Sequence, residues 1–448
     1  MVIFSANKIS MSDRWRYIAA GVFFKIALDI SYATYLTDAF ANHFLTPFVI
    51  NFSIFQYLES FIWLALVLLF VPFSSRSAGG LAFFSGIVFL YAPVASIYGM
   101  DDDRSRYTLF LSALAIGSAY LVSATSSMRK VKIALPNNGR KYLLTLSIFF
   151  AVLFLLNAAI SGALFGMNFD IGRVYEFRSD LTDTVDIGLF AYTNLWAQKV
   201  FTPLILAIGL QRKSAWMIGL ALALHVIYFG VSQQRSHLFT PSLVLIAYLL
   251  YRKEFSYKDG FVLLGIILLV LNLVVLALNL EVFGALAIRR SLFVGASATY
   301  SWVNYFAENP KVFFADNLLS PVVSNEYTRV FLPRLVGDFL RSDMDINFNS
   351  GLVGAGFAQL GVVGVVVYGS IIGAFIRINR RLIEAGVHPY IPAAILFLPY
   401  RVAWADADLL TALLSHGIIV GTFAVWLFGS SRNLASMGSS TIKQPARV

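Results

Sequence analysis

Three features of the sequence predict an all-α integral membrane protein with about 12 transmembrane helices. The mean hydropathy is +0.74, and 58% of the 448 residues are hydrophobic. Only 13% of the residues are charged, whereas a soluble domain has roughly 25%. Apolar stretches of about 20 residues, the length that crosses a bilayer core, recur along the chain. This composition excludes a soluble enzyme and a disordered chain.

Twelve apolar stretches are candidates for these helices. They cover approximately residues 16–36, 47–72, 81–99, 107–127, 143–166, 187–209, 215–231, 238–251, 260–280, 352–376, 390–404 and 409–429. The stretches at 215–231, 238–251 and 390–404 are short for a span. Because these stretches use more than half of the chain, the sequence predicts one polytopic membrane domain over residues 1–448.

The distribution of positive charge predicts that both termini are cytoplasmic. With the N-terminus inside, the inner segments contain 20 Lys and Arg residues and the outer segments contain 11. Six of those 11 lie in one long loop, and long loops contribute little to orientation. The pI near 9.6 is therefore explained by basic cytoplasmic loops, and nucleic acid is not an expected partner.

The outer face is predicted to carry the two long loops, residues 167–186 and 281–350. Within the second loop, Leu292, Ala296, Thr299 or Tyr300, and Val303 recur at a spacing of three to four residues, as on one side of a helix. Arg289 and Arg290 stand at the start of this pattern, which predicts a short surface helix lying on the membrane. Asn309-Pro310 is expected to end that helix.

Candidate functional residues are first found in the loop at 167–186. Arg173, Tyr175, Glu176 and Arg178 form a dense polar cluster near the outer membrane surface. Guanidinium groups match phosphate oxygens bidentately. The alternative is that these arginines contact lipid phosphates or pair with the aspartates of the same loop.

A second candidate is the turn at 230–237, between two apolar stretches. It contains Arg235 and His237, and a charge at this depth is a functional-site hypothesis. The alternatives are an arginine that extends to the interface and a structural histidine.

The long outer loop offers a third set of candidates. Its arginines alternate with carboxylates, among them Glu326 and Asp343, which suits an anionic substrate and a general base. The alternative is a solvated loop with surface ion pairs. Asn347 precedes a glycine-rich stretch in which most glycines are expected to serve helix packing.

Ionisable residues inside the spans form a fourth set. Lys25 and Asp29 are four residues apart, so they can pair on one helix face. Lys199 in the predicted sixth span, and Asp406 and Asp408 just after the eleventh, are similar cases. A proton or ion relay is one interpretation, and a structural pair is the other.

Several kinds of chemistry have no motif in the sequence. The chain has no Cys, no P-loop motif and no His-Glu-x-x-His motif, so we expect no cofactor and no metal site. Asp101, Asp102 and Asp103 could hold a divalent cation, but an exposed acidic run is usually only solvated.

Four segments then occur in a characteristic order. They are VYEFRSD at 174–180, SQQRSHLFTPSLVLIAYLLY at 232–251, RRSLFVGASATYSWVNYFAENPKVFF at 289–314 and NFNSGLVGAGFAQLGVVGVVVYGSIIGAF at 347–375. In their order and predicted placement they resemble the Wzy-type O-antigen polymerases, also called oligosaccharide repeat-unit polymerases. The resemblance covers residues 170–380, nearly half of the chain.

This resemblance implies a fold similar to the multi-span, metal-independent (GT-C-like) glycosyltransferases. The substrate would be an oligosaccharide repeat unit on undecaprenyl pyrophosphate, polymerised at the periplasmic face of the bacterial inner membrane into O-antigen, capsule or exopolysaccharide. A chain-length regulator and a flippase would be the protein partners.

The resemblance also implies roles for the candidate residues. Arg178, Arg235 and Arg290 would bind the pyrophosphate. Glu176, Asp343, Glu326 and His237 are alternative bases for the acceptor hydroxyl. The remaining substrate-binding candidates are Arg289, Arg173, Tyr175, Tyr300 and Asn347, with Tyr300 expected to stack on a sugar ring.

Two other functional classes are open at this point. A secondary transporter, such as a flippase of lipid-linked oligosaccharide, would use Lys25, Asp29 and Lys199 as coupling sites. Such a transporter predicts an internal repeat, which the sequence does not show. A scaffold subunit would not need arginines at three separate outer positions.

Overall fold

The computed structural model describes residues 11–40, 48–71, 78–125, 133–169, 188–234, 236–252, 256–317, 319–341 and 346–429. Within these ranges the chain consists of helices and connecting turns, apart from one isolated bridge between Asn51 and Asp101. The predicted all-α class is confirmed for this part of the chain.

Among the described residues, eight helices are long and apolar enough to cross a membrane. They are Ser12–Phe40, Gly79–Met100, Arg106–Ala124, Gly139–Ile160, Ala215–Ser232, Tyr257–Leu278, Val362–Glu384 and Leu409–Phe428. Three shorter apolar helices are Ile54–Phe70, Ser236–Leu249 and Tyr390–Ala405. The predicted stretch 187–209 is helical over consecutive segments, Phe190–Trp196, Ala197–Phe201 and Thr202–Arg212. These helices are those of a multi-pass membrane protein, and the count of twelve spans stays a prediction.

The predicted span 352–376 is not one helix. It is divided into Leu352–Leu360 and Val362–Glu384. Gly361 between them has φ +62°, a left-handed conformation that glycine adopts without steric cost. The long apolar helix therefore begins ten residues later than the sequence suggested.

The predicted surface helix forms, but the prediction that it lies on the surface was wrong. A helix does form at Val294–Glu308 and ends before Asn309, as expected. However, nine of its residues are buried: Gly295, Ala296, Ser297, Ala298, Thr299, Tyr300, Trp302, Val303 and Phe306. The residues between the predicted apolar positions are small or aromatic, so the apolar surface extends around most of the helix, which packs in the protein interior.

The chain divides into two compact units. Unit 1 comprises Met1–Thr125, Glu254–Ala374 and Tyr400–Ala412. Its described helices include Met11–Ser31, Ile54–Phe70, Ala78–Gly86, Ala92–Met100, Arg106–Ala124, Tyr257–Leu278, Ala285–Phe293 (a π-helix), Val294–Glu308, Leu332–Leu340 and Leu352–Leu360.

Small residues allow the helices of unit 1 to approach closely, as predicted for the glycine-rich stretch. A Cβ atom on Gly364 would collide with the backbone oxygen of Gly356, and one on Gly373 would collide with that of Ala119. The predicted Lys25–Asp29 pair is confirmed, because Lys25 Nζ lies 2.8 Å from Asp29 Oδ2 and both residues are buried.

Unit 2 comprises Ser126–Lys253, Phe375–Pro399 and Leu413–Val448. Its described helices include Gly139–Ile160, Phe190–Trp196, Ala197–Phe201 (a π-helix), Thr202–Arg212, Ala215–Ser232, Ser236–Arg252 and Ile418–Phe428. Gln233, with φ +55°, ends the first helix of the hairpin at 215–252.

Candidate functional site

Half of the predicted site residues lie outside the described part of the chain. They are Arg173, Tyr175, Glu176, Arg178, Arg235 and Asp343. The predicted convergence of Arg178, Arg235 and Arg290 therefore stays a prediction.

Tyr300 is placed differently from expectation. The residue is fully buried, and its hydroxyl donates a hydrogen bond to the Val94 carbonyl at 3.1 Å. The Arg104 guanidinium lies 5.9 Å from the ring centroid. Tyr300 is thus a core residue whose ring offers no exposed face to a sugar, because the helix that carries it packs in the interior of unit 1.

Arg289 and Arg290 lie on the π-helix Ala285–Phe293 of unit 1. The Arg289 guanidinium is 4.7 Å from the Phe40 ring centroid and is half-buried. Arg290 is exposed. Of this pair, Arg290 is therefore the more exposed to solvent.

His237 and Asn347 have contrasting environments. His237 is 1% exposed at the start of the second helix of the unit 2 hairpin, so it does not face an external acceptor in this conformation. Asn347 is exposed in unit 1. The next residue, Phe348, is fixed by two hydrogen bonds of its backbone. Its N–H donates to Pro333 O and its carbonyl oxygen accepts from Trp302 Nε1, both at 2.8 Å.

The segment 309–331 of unit 1 is fixed by the side chain of Gln359. Gln359 is 1% exposed and is the next-to-last residue of the helix Leu352–Leu360. Its Oε1 accepts from Phe314 N–H at 2.6 Å, and its Nε2 donates to Asp316 Oδ1 at 3.0 Å. Two backbone hydrogen bonds add to this contact: Val312 N–H donates to Ala358 O, and Phe313 N–H donates to Gln359 O. One buried amide therefore sets the position of the Asp316 carboxyl.

The same segment contains an unusual backbone. Phe313, Phe314 and Arg329 have φ values of +53°, +60° and +61°, which are uncommon for residues with large side chains. Arg329 N–H donates to Ala315 O at 3.2 Å, so these residues belong to one folded unit around Asp316. Strain of this kind is often retained at functional sites.

The Asp316 carboxylate lies close enough to Asp408 to act on it electrostatically. Burial raises the pKa of both carboxyls above the ordinary value of 3.8, and for Asp408 the nearby Asp316 raises the pKa further. Asp408 Oδ1 accepts from the Tyr368 hydroxyl at 3.0 Å, and its Oδ2 accepts from Leu410 N–H at 2.8 Å. Two half-buried carboxyls with raised pKa values can exchange protons closer to neutral pH than free aspartate.

Glu326 lies on the turn that docks against this segment. Its carboxylate is exposed and bonds to the hydroxyl of Tyr327, which in turn bonds to Tyr305. Asn325 Nδ2 donates to Val312 O at 2.9 Å and holds the turn in place. Glu326 and the exposed Arg329 therefore lie on the same turn, beside the segment that carries Asp316.

The sequence did not indicate Asp316, because no motif surrounds it. The position of its carboxyl is set by a hydrogen bond from Gln359, 43 residues away in the chain. Asp408 was considered only as a charged residue after the eleventh predicted span. In the described ranges, Asp101, Asp102 and Asp103 form the one cluster of possible metal ligands, with ligand atoms within 4.8 Å. Asp101 is bound to Arg104 Nε at 2.6 Å.

Comparisons of the chain with protein-family models, curated proteins and solved structures found no match.

Proposed function

We propose that this protein is a membrane glycosyltransferase that polymerises oligosaccharide repeat units carried on undecaprenyl pyrophosphate. The proposal combines the resemblance of residues 170–380 with the arrangement around Asp316. The observation that carries it is a half-buried carboxyl with a raised pKa, fixed by Gln359 and accompanied by the exposed Arg329.

Glycosyl transfer needs a base for the acceptor hydroxyl. We assign this role to Asp316, with Glu326 on the neighbouring turn as the alternative. Deprotonation of the acceptor allows its oxygen to attack the anomeric carbon of the donor chain, and the bond from that carbon to the pyrophosphate oxygen breaks. The raised pKa makes Asp316 a stronger base than an exposed aspartate.

The departing pyrophosphate needs positive charge. Arg178, Arg235 and Arg290 are assigned to it from the sequence, and Arg329 is added because it is exposed near Asp316. Guanidinium groups stabilise the developing phosphate charge through bidentate hydrogen bonds, and this chemistry needs no cofactor.

Asp316→Asn tests the proposal. The variant keeps the shape of the side chain and an oxygen to accept from Gln359, but it cannot take a proton. Loss of a general base lowers the rate by about 10²–10⁴-fold. In a knockout strain complemented at matched protein level, we expect lipopolysaccharide or capsule with a single repeat unit in place of a ladder.

Asp338→Asn is the matched control, because Asp338 is exposed in unit 1 and its carboxylate lies 4.0 Å from Arg334. It should leave the ladder intact. A full ladder with Asp316→Asn would exclude Asp316 as the base.

A flippase for lipid-linked oligosaccharide is the competing function, and the same assay separates the two. Loss of a flippase removes polysaccharide from the surface, whereas loss of a polymerase leaves single repeats. One proposed coupling residue of a transporter, Lys25, is occupied by contacts within the protein, because its ammonium also lies 3.9 Å from the Phe61 ring centroid. These contacts support the structural interpretation of Lys25 that the sequence left open.

The proposal includes an orientation in the bacterial inner membrane, with both termini cytoplasmic and residues 281–350 periplasmic. Reporter fusions at Asn317 and Met437 test it. An outward signal is expected at Asn317, and an outward signal at Met437 would reverse the topology.

A further inference from the structure

One end of unit 2 carries positive charge that the unit does not balance. In the described ranges Glu384 is the one acidic residue of unit 2, and its carboxylate lies 3.5 Å from Arg380 Nε and 3.7 Å from Arg381 Nε. Lys199, inside a helical segment, is hydrogen-bonded to His416 Nδ1. Four further basic residues stand at helix ends: Arg140, Lys141, Arg212 and Lys213. The described part of the unit has no other carboxylate to pair with them.

Arg140 is held in one position at the start of the helix Gly139–Ile160. This helix begins against the end of Ile418–Phe428, since a Cβ atom on Gly139 would collide with the backbone there. Arg140 Nε donates to Phe428 O at 3.3 Å, and the guanidinium lies 4.6 Å from the Phe428 ring centroid. The residue is half-buried, and its terminal N–H groups have no acceptor in the described ranges.

Arg212 comes to this end of the unit on a third helix. It is the last residue of Thr202–Arg212, which packs against the helix that begins at Gly139. Lys213, with φ +55°, ends the helix and turns the chain toward the next one. The Arg212 side chain is exposed and lies close enough to Arg140 to act on it electrostatically, and no carboxylate of the described ranges acts on Arg140.

Two neighbouring guanidinium groups repel, and the backbone beside them adds to the positive potential. Arg140 and Lys141 lie in the first turn of their helix, where N–H groups carry a partial positive charge that disfavours cations. The N-cap residue Asn138 makes no side-chain hydrogen bond to these groups. Topology alone explains basic residues on a cytoplasmic side, but such residues extend freely into water, whereas Arg140 packs on the buried Phe428 ring. A partly buried charge is normally paired, so this arrangement indicates an anion from outside the chain.

The surface beside the guanidinium groups indicates which anion. Trp216, at the start of the next helix, and Tyr142 are exposed, and both residue types are typical of the membrane interface. An exposed apolar face continues from Tyr142 along the same helix at spacings of three, four or seven residues, through Phe149, Val152, Leu156 and Ile160. This face accommodates acyl chains, which a free phosphate ion lacks. A zwitterionic phospholipid would bring an ammonium group, for which the described part of unit 2 offers no free carboxylate.

We propose that Arg140 and Arg212 bind the phosphate group of an anionic phospholipid, whose acyl chains lie along the exposed face of Gly139–Ile160. Their guanidinium N–H groups donate to the phosphate oxygens, and basic pockets between membrane helices are typical sites for acidic head groups. The distribution of Lys and Arg predicts that this end of unit 2 is cytoplasmic, whereas the proposed glycosyl transfer is periplasmic, so the two proposals are independent. The bound lipid joins the start of one helix to the ends of two others and stabilises unit 2.

Native mass spectrometry of the full chain in a non-ionic detergent tests this, with phosphatidylglycerol as the anionic probe and phosphatidylethanolamine as the zwitterionic probe. We expect one phosphatidylglycerol molecule to bind more tightly than any further lipid. Arg140→Gln and Arg212→Gln each remove a charge-assisted contact, so the affinity for that first molecule should fall about tenfold in each. Because Arg212 is exposed, Arg212→Gln leaves the helix packing intact and decides the test if Arg140→Gln does not fold.

Arg16→Gln is the matched control. Arg16 is exposed in unit 1 on a segment that is also predicted to be cytoplasmic, and its guanidinium lies 4.0 Å from Asp13. The variant removes the same charge and should leave the first binding step unchanged. Equal binding of the two lipids, or an unchanged affinity in both Arg140→Gln and Arg212→Gln, would overturn the proposal.

Inorganic phosphate is the third probe and separates a lipid from a free anion. Thermal unfolding of the full chain should show a higher midpoint with phosphatidylglycerol than with inorganic phosphate at the same concentration. If inorganic phosphate raises the midpoint as much as phosphatidylglycerol does, the site takes a free anion and the assignment to a lipid is wrong.

Discussion

In unit 1 the polar side chains of the candidate site are held by hydrogen bonds from the protein, whereas in unit 2 two buried imidazoles face each other with unpartnered nitrogens. Gln359 fixes Asp316, and Tyr368 fixes Asp408. His225 has no such partner. The contrast separates groups whose positions are set in advance by hydrogen bonds, as required for bond-forming chemistry, from buried polar groups that packing alone holds in place.

The largest expected effect comes from breaking the buried ion pair in unit 1. Lys25→Met leaves the buried Asp29 carboxylate without its partner, and removing one member of a buried ion pair costs about 3–5 kcal/mol. We expect a marked fall in the thermal unfolding midpoint of the purified protein.

The double variant Lys25→Met/Asp29→Leu is the control, because replacing both members of a buried pair by apolar residues is often neutral. It should recover most of the lost stability. If the single variant unfolds at the wild-type temperature, the pair contributes nothing and unit 1 is not stabilised in the way described.

The sequence predicted the helices better than their environment. Hydropathy and length located the apolar stretches, and the spacing of Lys25 and Asp29 predicted their pairing. The break at Gly361 was not predictable, because several other glycines of the same stretch lie inside helices and nothing in the sequence distinguishes Gly361 from them. The burial of Val294–Glu308 was missed because small residues can face either lipid, water or another helix.

The second-largest effect is expected on the polymerisation rate when Arg178 is replaced, because the sequence assigns this residue to the pyrophosphate leaving group. Arg178→Lys keeps the charge but loses the planar bidentate fork. Losing one bond made in the transition state costs about 2–4 kcal/mol, or roughly 30- to 1,000-fold in rate. The length ladder of the polysaccharide in a complemented knockout measures this.

Asp180→Asn, on the same predicted loop, should have little effect, as for a solvated carboxylate. A full ladder with both Arg178→Lys and Arg178→Ala would remove Arg178 from the site. A contact with lipid phosphates would then explain the residue better.

A smaller effect is expected from the close helix packing of unit 1. Gly364→Val places a branched side chain against the backbone oxygen of Gly356, and overpacking costs about 1–3 kcal/mol. Gly117→Ala is the matched control in the same unit, because no atom lies within 4 Å of a Cβ atom built there. Thermal unfolding should separate the two variants, and equal midpoints would show that the packing can relax.

The candidate site was less predictable than the fold. Glu326 and Arg290 were identified because they are charged residues in a long segment that the sequence places between predicted spans. Asp316 was missed because its raised pKa depends on burial and on a distant amide. His237 was considered as a base, but its relation to His225 required the hairpin geometry.

The smallest expected effect is a shift in pH dependence. Because burial raises the pKa of Asp316 above 3.8, the base is lost at a higher pH than for free aspartate as the solution is acidified. The acid limb of the polymerisation rate should therefore lie above about pH 4. The same raised pKa means that the folded state binds more protons than the unfolded chain, so the contribution of Asp316 to stability falls as pH rises through its folded pKa. Activity and this part of stability should change in opposite directions over one pH window.

Asn317→Ala sharpens this prediction. Asn317 is exposed and its Nδ2 donates to Asp316 Oδ2 at 3.0 Å, which lowers the pKa of Asp316. Removing the donor should raise that pKa and move the acid limb upward by about 0.5 to 1 pH unit. Ser324→Ala, at an exposed position on the same segment, is the control and should leave the profile unchanged. An acid limb that stays in place in Asn317→Ala would mean that another group is the base, and Glu326 would then be preferred because its exposed carboxylate lies on the adjacent turn.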